Sequence, residues 1–435
     1  MSIGRGLRRW ALLAGCIWVM LSTADSFAVD LHLGVTRKGD SKIPLGIVKL
    51  EMGPALEQQF SPLLTVLEAD LTRSLVFNLV DTEPLLGNEH STLAKDALNK
   101  KLGAAGVEVL VWLSLAQKEK DLVLEAQVYE GSSGQWVFGK KYLAQAPFIR
   151  AVVHRLADDL VFQYTGQPGI AQTRIAFTSD KTGYKEIYLM DYDGYNPRRV
   201  TGDHSLDLSP RWTPDGKSLV YTSYKGGQPE IFLQDLATGG RRKMVGFPGL
   251  NISPAWSPLG TLMAFATTKD GEAEIYTVDS SGKNFKSLTV GLGANLSPSW
   301  SPTGNEIVFN SDRGGSPQIY IMNSDGVNVR RLSFEGTYNT SPAWSPKGDR
   351  IAYVCRLDDR MRICLIRPDG TEIIQFTIGP WDDESPSWAP DGRHLVFSSN
   401  RSGKSQLYLI NLDGTGLEPL TKEISNQTGP AWSPN

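Results

Sequence analysis

Cysteine is scarce in this sequence. The 435 residues hold three, Cys16, Cys355 and Cys364, too few for a disulfide-built scaffold. The five histidines, His32, His90, His154, His204 and His394, show no H-E-x-x-H or other ligand spacing, so no metal site is expected and most read as surface residues. A G-x-S-x-G nucleophile elbow is missing; the nearest string, Gly131-Ser132-Ser133-Gly134, reads as a hairpin turn. There is no phosphate-binding loop and no dinucleotide fingerprint. Together these absences point away from an enzyme and leave no cofactor to expect. After residue 28 no run approaches the roughly 18 apolar residues that a membrane span needs. No charge of one sign dominates either, so nothing invites nucleic acid or anionic lipid.

The first 28 residues read as a cleavable leader: Arg5, Arg8 and Arg9 precede an apolar run from Trp10 to Leu21, and Ser26-Phe27-Ala28 is a small-x-small site that predicts a mature start at Val29. Leu13-Ala14-Gly15-Cys16 resembles a lipid-attachment box, but it would leave an apolar region of about four residues, where 7 to 15 is usual. The leader removes three arginines and Asp25 from 44 basic and 47 acidic residues, leaving 41 against 46 and a net charge near −5. An exported, soluble protein is expected.

What the chain has in abundance is one phrase. SPRWTPDG, SPAWSPLG, SPSWSPTG, SPAWSPKG, SPSWAPDG and GPAWSPN place tryptophans at 212, 256, 300, 344, 388 and 432, each 44 residues after the last. A period of 40 to 45 with several strands per repeat marks propeller blades. After each phrase comes a strand with large residues at alternate positions, from Ile175/Phe177 through Leu219/Tyr221 to Leu395/Phe397. Turn-rich stretches then separate a third strand (EIYLMD, EIFLQD, QLYLIN) and a fourth (RRVT, RRLS, EPLT). Proline is poorly tolerated in a central ladder, so the flanking prolines predict a short strand stopped at each end. Trp212, Trp256, Trp300, Trp344, Trp388 and Trp432 read as packing between blades, since a residue recurring in every blade is what a shared core needs.

The first repeat starts at Arg174 without a phrase, and the last phrase, residues 429–434, has no strands after it. The two fragments make one blade. The expected fold is therefore multidomain: a six-bladed all-β propeller over residues 173–435, closed by the strand at 429–434, behind a small α/β domain at 47–168 and an N-terminal arm at 29–46. In the α/β part, Ser61 to Ser74 has helical spacing through Leu63, Leu64, Leu67 and Leu71 with Ser61 as N-cap and Pro62 at the first position. Ser91 to Leu102 suggests a second helix, Gly106 to Leu115 a buried strand, Leu122 to Tyr129 and Gln135 to Tyr142 a hairpin, and Phe148 to Tyr164 an amphipathic helix.

Two columns of the repeat stand out. Cys355 falls where the other repeats have Ser or Thr, and Cys364 where they have Tyr or Phe. A disulfide across this hairpin and two buried thiols are both open readings; the hairpin loop places the pair diagonally. Two residues before each phrase's Ser stand Asp207, Asn251, Asn295, Asn339, Asp383 and, before Gly429, Gln427. They should ring one mouth of the channel, either as turn residues or as a polar collar for a partner or ion. Asp203, His204, Tyr338, Trp381, Asp382 and Glu384 in the same loops would add interface contacts.

These residues resemble the TolB family of the Tol-Pal system over the whole chain. The specific matches are Asp191-Tyr192-Asp193-Gly194-Tyr195-Asn196-Pro197, Ile43-Pro44-Leu45-Gly46-Ile47-Val48 and Thr173-Arg174-Ile175-Ala176-Phe177. The resemblance implies a periplasmic, non-catalytic adaptor that supports outer-membrane integrity and constriction during division. It implies that the propeller mouth binds the peptidoglycan-associated lipoprotein Pal. It also implies that the arm, here Val29, Asp30, Leu31, His32, Leu33, Gly34, Val35 and Thr36, engages the C-terminal domain of TolA. A monomer is expected. The rival expectation is an exported propeller that binds a small ligand or regulates a peptidase.

Overall fold

The computed structural model describes residues 41–50, 53–86 and 94–435. The leader, Cys16, and Val29 to Thr36 lie outside the described residues. A five-stranded sheet comes first, β1 (Ile43–Lys49), β2 (Phe77–Val80), β3 (Val109–Lys118), β4 (Asp121–Glu130) and β5 (Trp136–Gln145), in the order β2-β1-β3-β4-β5. β1 is parallel to both neighbours, and β3, β4 and β5 are antiparallel. The sheet thus takes in Ile43 to Gly46, which the sequence reading had given to the arm.

β3 is apolar on both faces because both are covered. Val109, Val111, Leu113 and Leu115 face α1 (Pro54–Arg73) and α4 (Ile149–Thr165), while Leu110 and Trp112 share a second core with α2 (Glu83–Leu86) and α3 (Lys95–Ala104). α1 begins eight residues before the predicted start, with Gly53 rather than Ser61 as its N-cap. Pro54 takes the position that suits proline, and Pro62 lies inside the helix. The apolar stripe through Phe60, Leu63, Leu67 and Leu71 carries the helix past it. α4 ends at Gly166, whose φ of 67° is the left-handed cap that glycine adopts without cost.

Six four-stranded antiparallel sheets follow, one per blade. The innermost strand of each blade carries the phrase: Asp207–Trp212, Asn251–Trp256, Asn295–Trp300, Asn339–Trp344, Asp383–Trp388 and Gln427–Trp432. The last of these pairs with Arg174–Ser179, so the first blade is completed by the last strand, with Trp432 opposite Ile175. The first proline of the phrase sits within the strand rather than ending it. Every innermost strand is bulged there, and a bulge releases the ladder bond that proline cannot make.

The tryptophans join neighbouring blades as expected. The indole nitrogens of Trp212, Trp300 and Trp388 donate to the carbonyls of Ala431, Ala255 and Ala343, each on the preceding blade, at 2.9, 3.1 and 3.0 Å. Trp344 instead reaches its own turn at Gly348, and Trp432 donates to Thr173 Oγ1 at 2.8 Å. Cys355 and Cys364 are joined in a disulfide with their Cα atoms 5.9 Å apart. Cys355 is opposite Arg362 and Tyr353 opposite Cys364, so the link is diagonal.

Candidate functional site

Each innermost strand starts at one mouth of the channel and ends at the other. Asp207, Asn251, Asn295, Asn339, Asp383 and Gln427 open the six strands and so stand at one mouth together. All six side chains are buried, none more than 2% exposed. Asn251 Nδ2 donates to the carbonyls of Pro229 and Phe247, and its Oδ1 accepts from Thr267. Asn339 Nδ2 bridges Gln318 Oε1 and the carbonyl of Glu335, both at 2.8 Å. Arg313 and Arg401 donate to Asn295 Oδ1 and Asp383 Oδ1 at 2.7 and 2.8 Å. Gln427 is tied to Ser425. Burial pushes the Asp207 carboxyl above its ordinary value, with Ser223 and Thr201 opposing. The amides of the column therefore act as brackets that shape the loops, while both Asp207 carboxylate oxygens and Asp383 Oδ2 are buried without a hydrogen-bond partner. Of the two expectations for this column, turn residues and a polar collar, the burial of all six side chains favours the first.

The neighbours named with the collar do reach the surface. His204 is exposed, held at φ 55°, and packs edge-on against Tyr184 at 5.1 Å. Asp203 takes ion pairs from Arg241 and Lys225, which hold its carboxyl below the usual range against the cost of burial. Tyr338 is exposed, Trp381 is half-buried beneath the Arg401 guanidinium at 4.9 Å, and Asp382 accepts from the amide of Met361. Glu384, one residue beyond the buried column, is exposed at the mouth. Its carboxyl is pushed up by partial enclosure and by the charge of Asp382.

One set of residues escaped the sequence reading. In the inter-blade loops at this same mouth, Val290 is 80% exposed, Phe334 69%, Ile378 76% and Ile424 92%, with Leu250 and Leu292 also exposed. Val290, Phe334 and Ile378 each follow a buried Thr or Ser, namely Thr289, Ser333 and Thr377. Each of those hydroxyls accepts from an amide of the blade's third strand, that of Ile275, Ile319 and Ile363. The three therefore share one column of the repeat, whose other members are Gly202, Gly246 and Lys422. Its 44-residue spacing was the available signal, hidden by its mixed chemistry.

The α/β domain docks at the other mouth, on blades one and six. Arg73 pairs with Glu418 at 2.7 Å, and His394 Nε2 donates to the Arg73 carbonyl. The Tyr192 hydroxyl donates to Asp70, and Arg150 pairs with Asp193. Here Asp70, His154 and Asp193 converge from distant parts of the chain, so their ligand atoms lie within 4.8 Å of one another. Spacing along the sequence could not show this. Of the described histidines, His154 and His394 are buried and His204 is exposed. Arg150 already supplies a positive charge to Asp193, and His154 Nδ1 lies 2.7 Å from Asp70 Oδ2. The cluster therefore works as an interdomain anchor.

A six-bladed propeller closed by its C-terminal strand and anchored to an α/β domain defines the class. A family model described as the TolB β-propeller domain matches residues 162–435, and the chain belongs to that family. It is 40% identical over 216 residues to the Tol-Pal system protein TolB of Geobacter sulfurreducens, covering 49% of this chain and 50% of that protein. It is 35% identical over 193 residues to a TolB homolog of Chlorobium chlorochromatii, covering 43% of each. The chain thus spans at most half the length of these two curated relatives. The crystal structure of TolB from Acinetobacter baumannii matches with a TM-score of 0.77 at 28% identity, over 91% of this chain and 97% of that one. No described helix is long and apolar enough to cross a membrane.

Proposed function

We propose that the protein is a non-catalytic periplasmic adaptor of the Tol-Pal system. The mouth ringed by the inter-blade loops holds a Pal-like peptidoglycan-associated lipoprotein, and Val29 to Thr36 engage the TolA C-terminal domain. In this role it supports outer-membrane integrity and constriction at division. The observation that carries the reading is the ring of exposed apolar side chains, Val290, Phe334, Ile378 and Ile424, at the mouth opposite the docked α/β domain. Apolar side chains gathered on one face and rimmed by charge mark protein-binding surfaces. Asp203, His204, Tyr338, Trp381 and Glu384 supply the rim.

The test is calorimetric titration with a purified Pal-like lipoprotein domain. The pair Phe334→Ser and Ile378→Ser should weaken binding by about 30-fold or more, as expected of central apolar anchors worth at least about 2 kcal/mol. Leu259→Ser, equally exposed but in a turn at the opposite mouth, should change nothing. Trimming Val29 to Thr36 should abolish binding of the TolA domain and leave the melting temperature alone. Unchanged Pal affinity in the paired variant overturns the assignment of this face.

A further inference from the structure

At the mouth where the innermost strands end, the channel opens into a cavity of about 530 Å³ walled by the six tryptophan phrases. That volume suits a small organic molecule. Among the described residues lining it, Arg211 alone is charged. The same position in the other blades holds Ala255, Ser299, Ala343, Ser387 and Ala431, so nothing in blade construction requires a guanidinium.

Arg211 donates one hydrogen bond, from Nη1 to the carbonyl of Pro210 at 2.8 Å. Among the described residues no carboxylate lies within ion-pair reach of it. The side chain is exposed to the channel, and the blades crowded around it push its pKa down with no acidic group to oppose the shift. Beyond that one backbone bond, the donors of the guanidinium that lines the cavity have no partner among the described residues.

A second donor makes no hydrogen bond. Trp256 Nε1 is buried and unbonded, and it too lines the cavity. By the pattern of the other blades, its acceptor would be the carbonyl of Arg211. The remaining polar lining includes Ser209, Ser253, Ser297, Ser341 and Ser385.

We propose that this cavity binds a small hydroxylated organic anion. Its carboxylate or phosphate pairs with the Arg211 fork, its hydroxyls meet the serine ring, and its carbon skeleton lies against the proline and tryptophan walls. The site is at the mouth opposite the inter-blade loops and does not depend on the reading of that surface.

The experiment titrates the mature full-length protein with glucuronate, glucose 6-phosphate and glucose, by calorimetry and by the fluorescence of the lining tryptophans. One or both anions should saturate at one site per chain, and the selectivity between them tells carboxylate from phosphate; glucose should not bind. Arg211→Ser, the residue type of two other blades, should weaken binding at least tenfold while melting no lower than the parent in ligand-free buffer. Arg211→Lys, which keeps the charge but loses the fork, should fall between. Absence of saturable binding by both anions, equal binding of glucose, or unchanged affinity in both Arg211 variants overturns the proposal.

Discussion

Trp432→Ala tests whether the ring is fastened where the first blade's strands meet the last. The side chain is 6% exposed and packs in one core with Ile175, Phe177, Tyr192 and residues of the α/β domain. Truncating a buried tryptophan costs about 3–5 kcal/mol. Losing the bond from Nε1 to Thr173 Oγ1 adds about 1 kcal/mol. The expected loss is therefore about 4–6 kcal/mol, a large part of the roughly 5–15 kcal/mol that holds a typical domain folded. Trp256→Ala is the internal comparison. It removes the same atoms from a half-buried ring whose nitrogen has no acceptor, so it should cost about 3 kcal/mol or less. Urea unfolding followed by far-ultraviolet circular dichroism and by tryptophan emission supplies the numbers, and coincident transitions are required before free energies are extracted. A loss below about 2 kcal/mol for Trp432→Ala, or one no larger than for Trp256→Ala, refutes closure as a source of stability.

Asp207→Asn should raise stability at pH 7 by about 0.5–1.5 kcal/mol, because an amide can make the carbonyl bonds that Asn251 makes. The sign with pH follows from the raised carboxyl: its folded state prefers the proton, so its contribution is present below the ordinary carboxylate range and is lost as pH rises through the folded value. The variant should therefore gain on the parent as pH rises from 3 to 7 in thermal melts, and a gap that is constant with pH contradicts this. Reducing the Cys355–Cys364 bond, which spans nine residues, should cost about 2–3 kcal/mol by loop-closure entropy; a melting temperature that ignores the reductant contradicts that figure.

The architecture was legible because its signals repeat. A tryptophan phrase every 44 residues and alternating apolar strands fix both the number of blades and the phase at which the chain closes on itself. Helix α1 was legible only from Ser61 onward, since Pro62 looked like a start. The same stripe extends back to Phe60, and burial of that stripe outweighs one missing backbone donor. The Asp and Asn column was legible in its place along the repeat and not in the direction its side chains face. Along a strand, neighbouring side chains point to opposite sides, and periodicity locates a column without saying which way it faces. The Asp and Asn column was conspicuous by composition, yet it points into the blades. The accessible residues are its neighbours and a loop column of mixed chemistry. The interdomain anchor of Asp70, His154 and Asp193 was illegible for another reason: its members come from α1, α4 and the first blade, and only folding brings them together.

The tryptophan phrase carries one more argument, in its opening residue. Ser209, Ser253, Ser297, Ser341 and Ser385 all adopt φ between 52° and 55°, a conformation that costs a side-chain-bearing residue on the order of 1 kcal/mol. Gly429, the sixth copy, takes φ 57° without that cost. A Cβ added at Gly429 would meet nothing within 4 Å, so sterics do not decide between glycine and serine at this position. Conformational energy alone would favour glycine in all six blades, and five carry serine. What serine adds is a hydroxyl, and all five serines line the same cavity as Arg211. On the proposed reading, ligand binding by that ring offsets the backbone strain. Ser253→Gly together with Ser297→Gly should then stabilise the empty protein while weakening the anion.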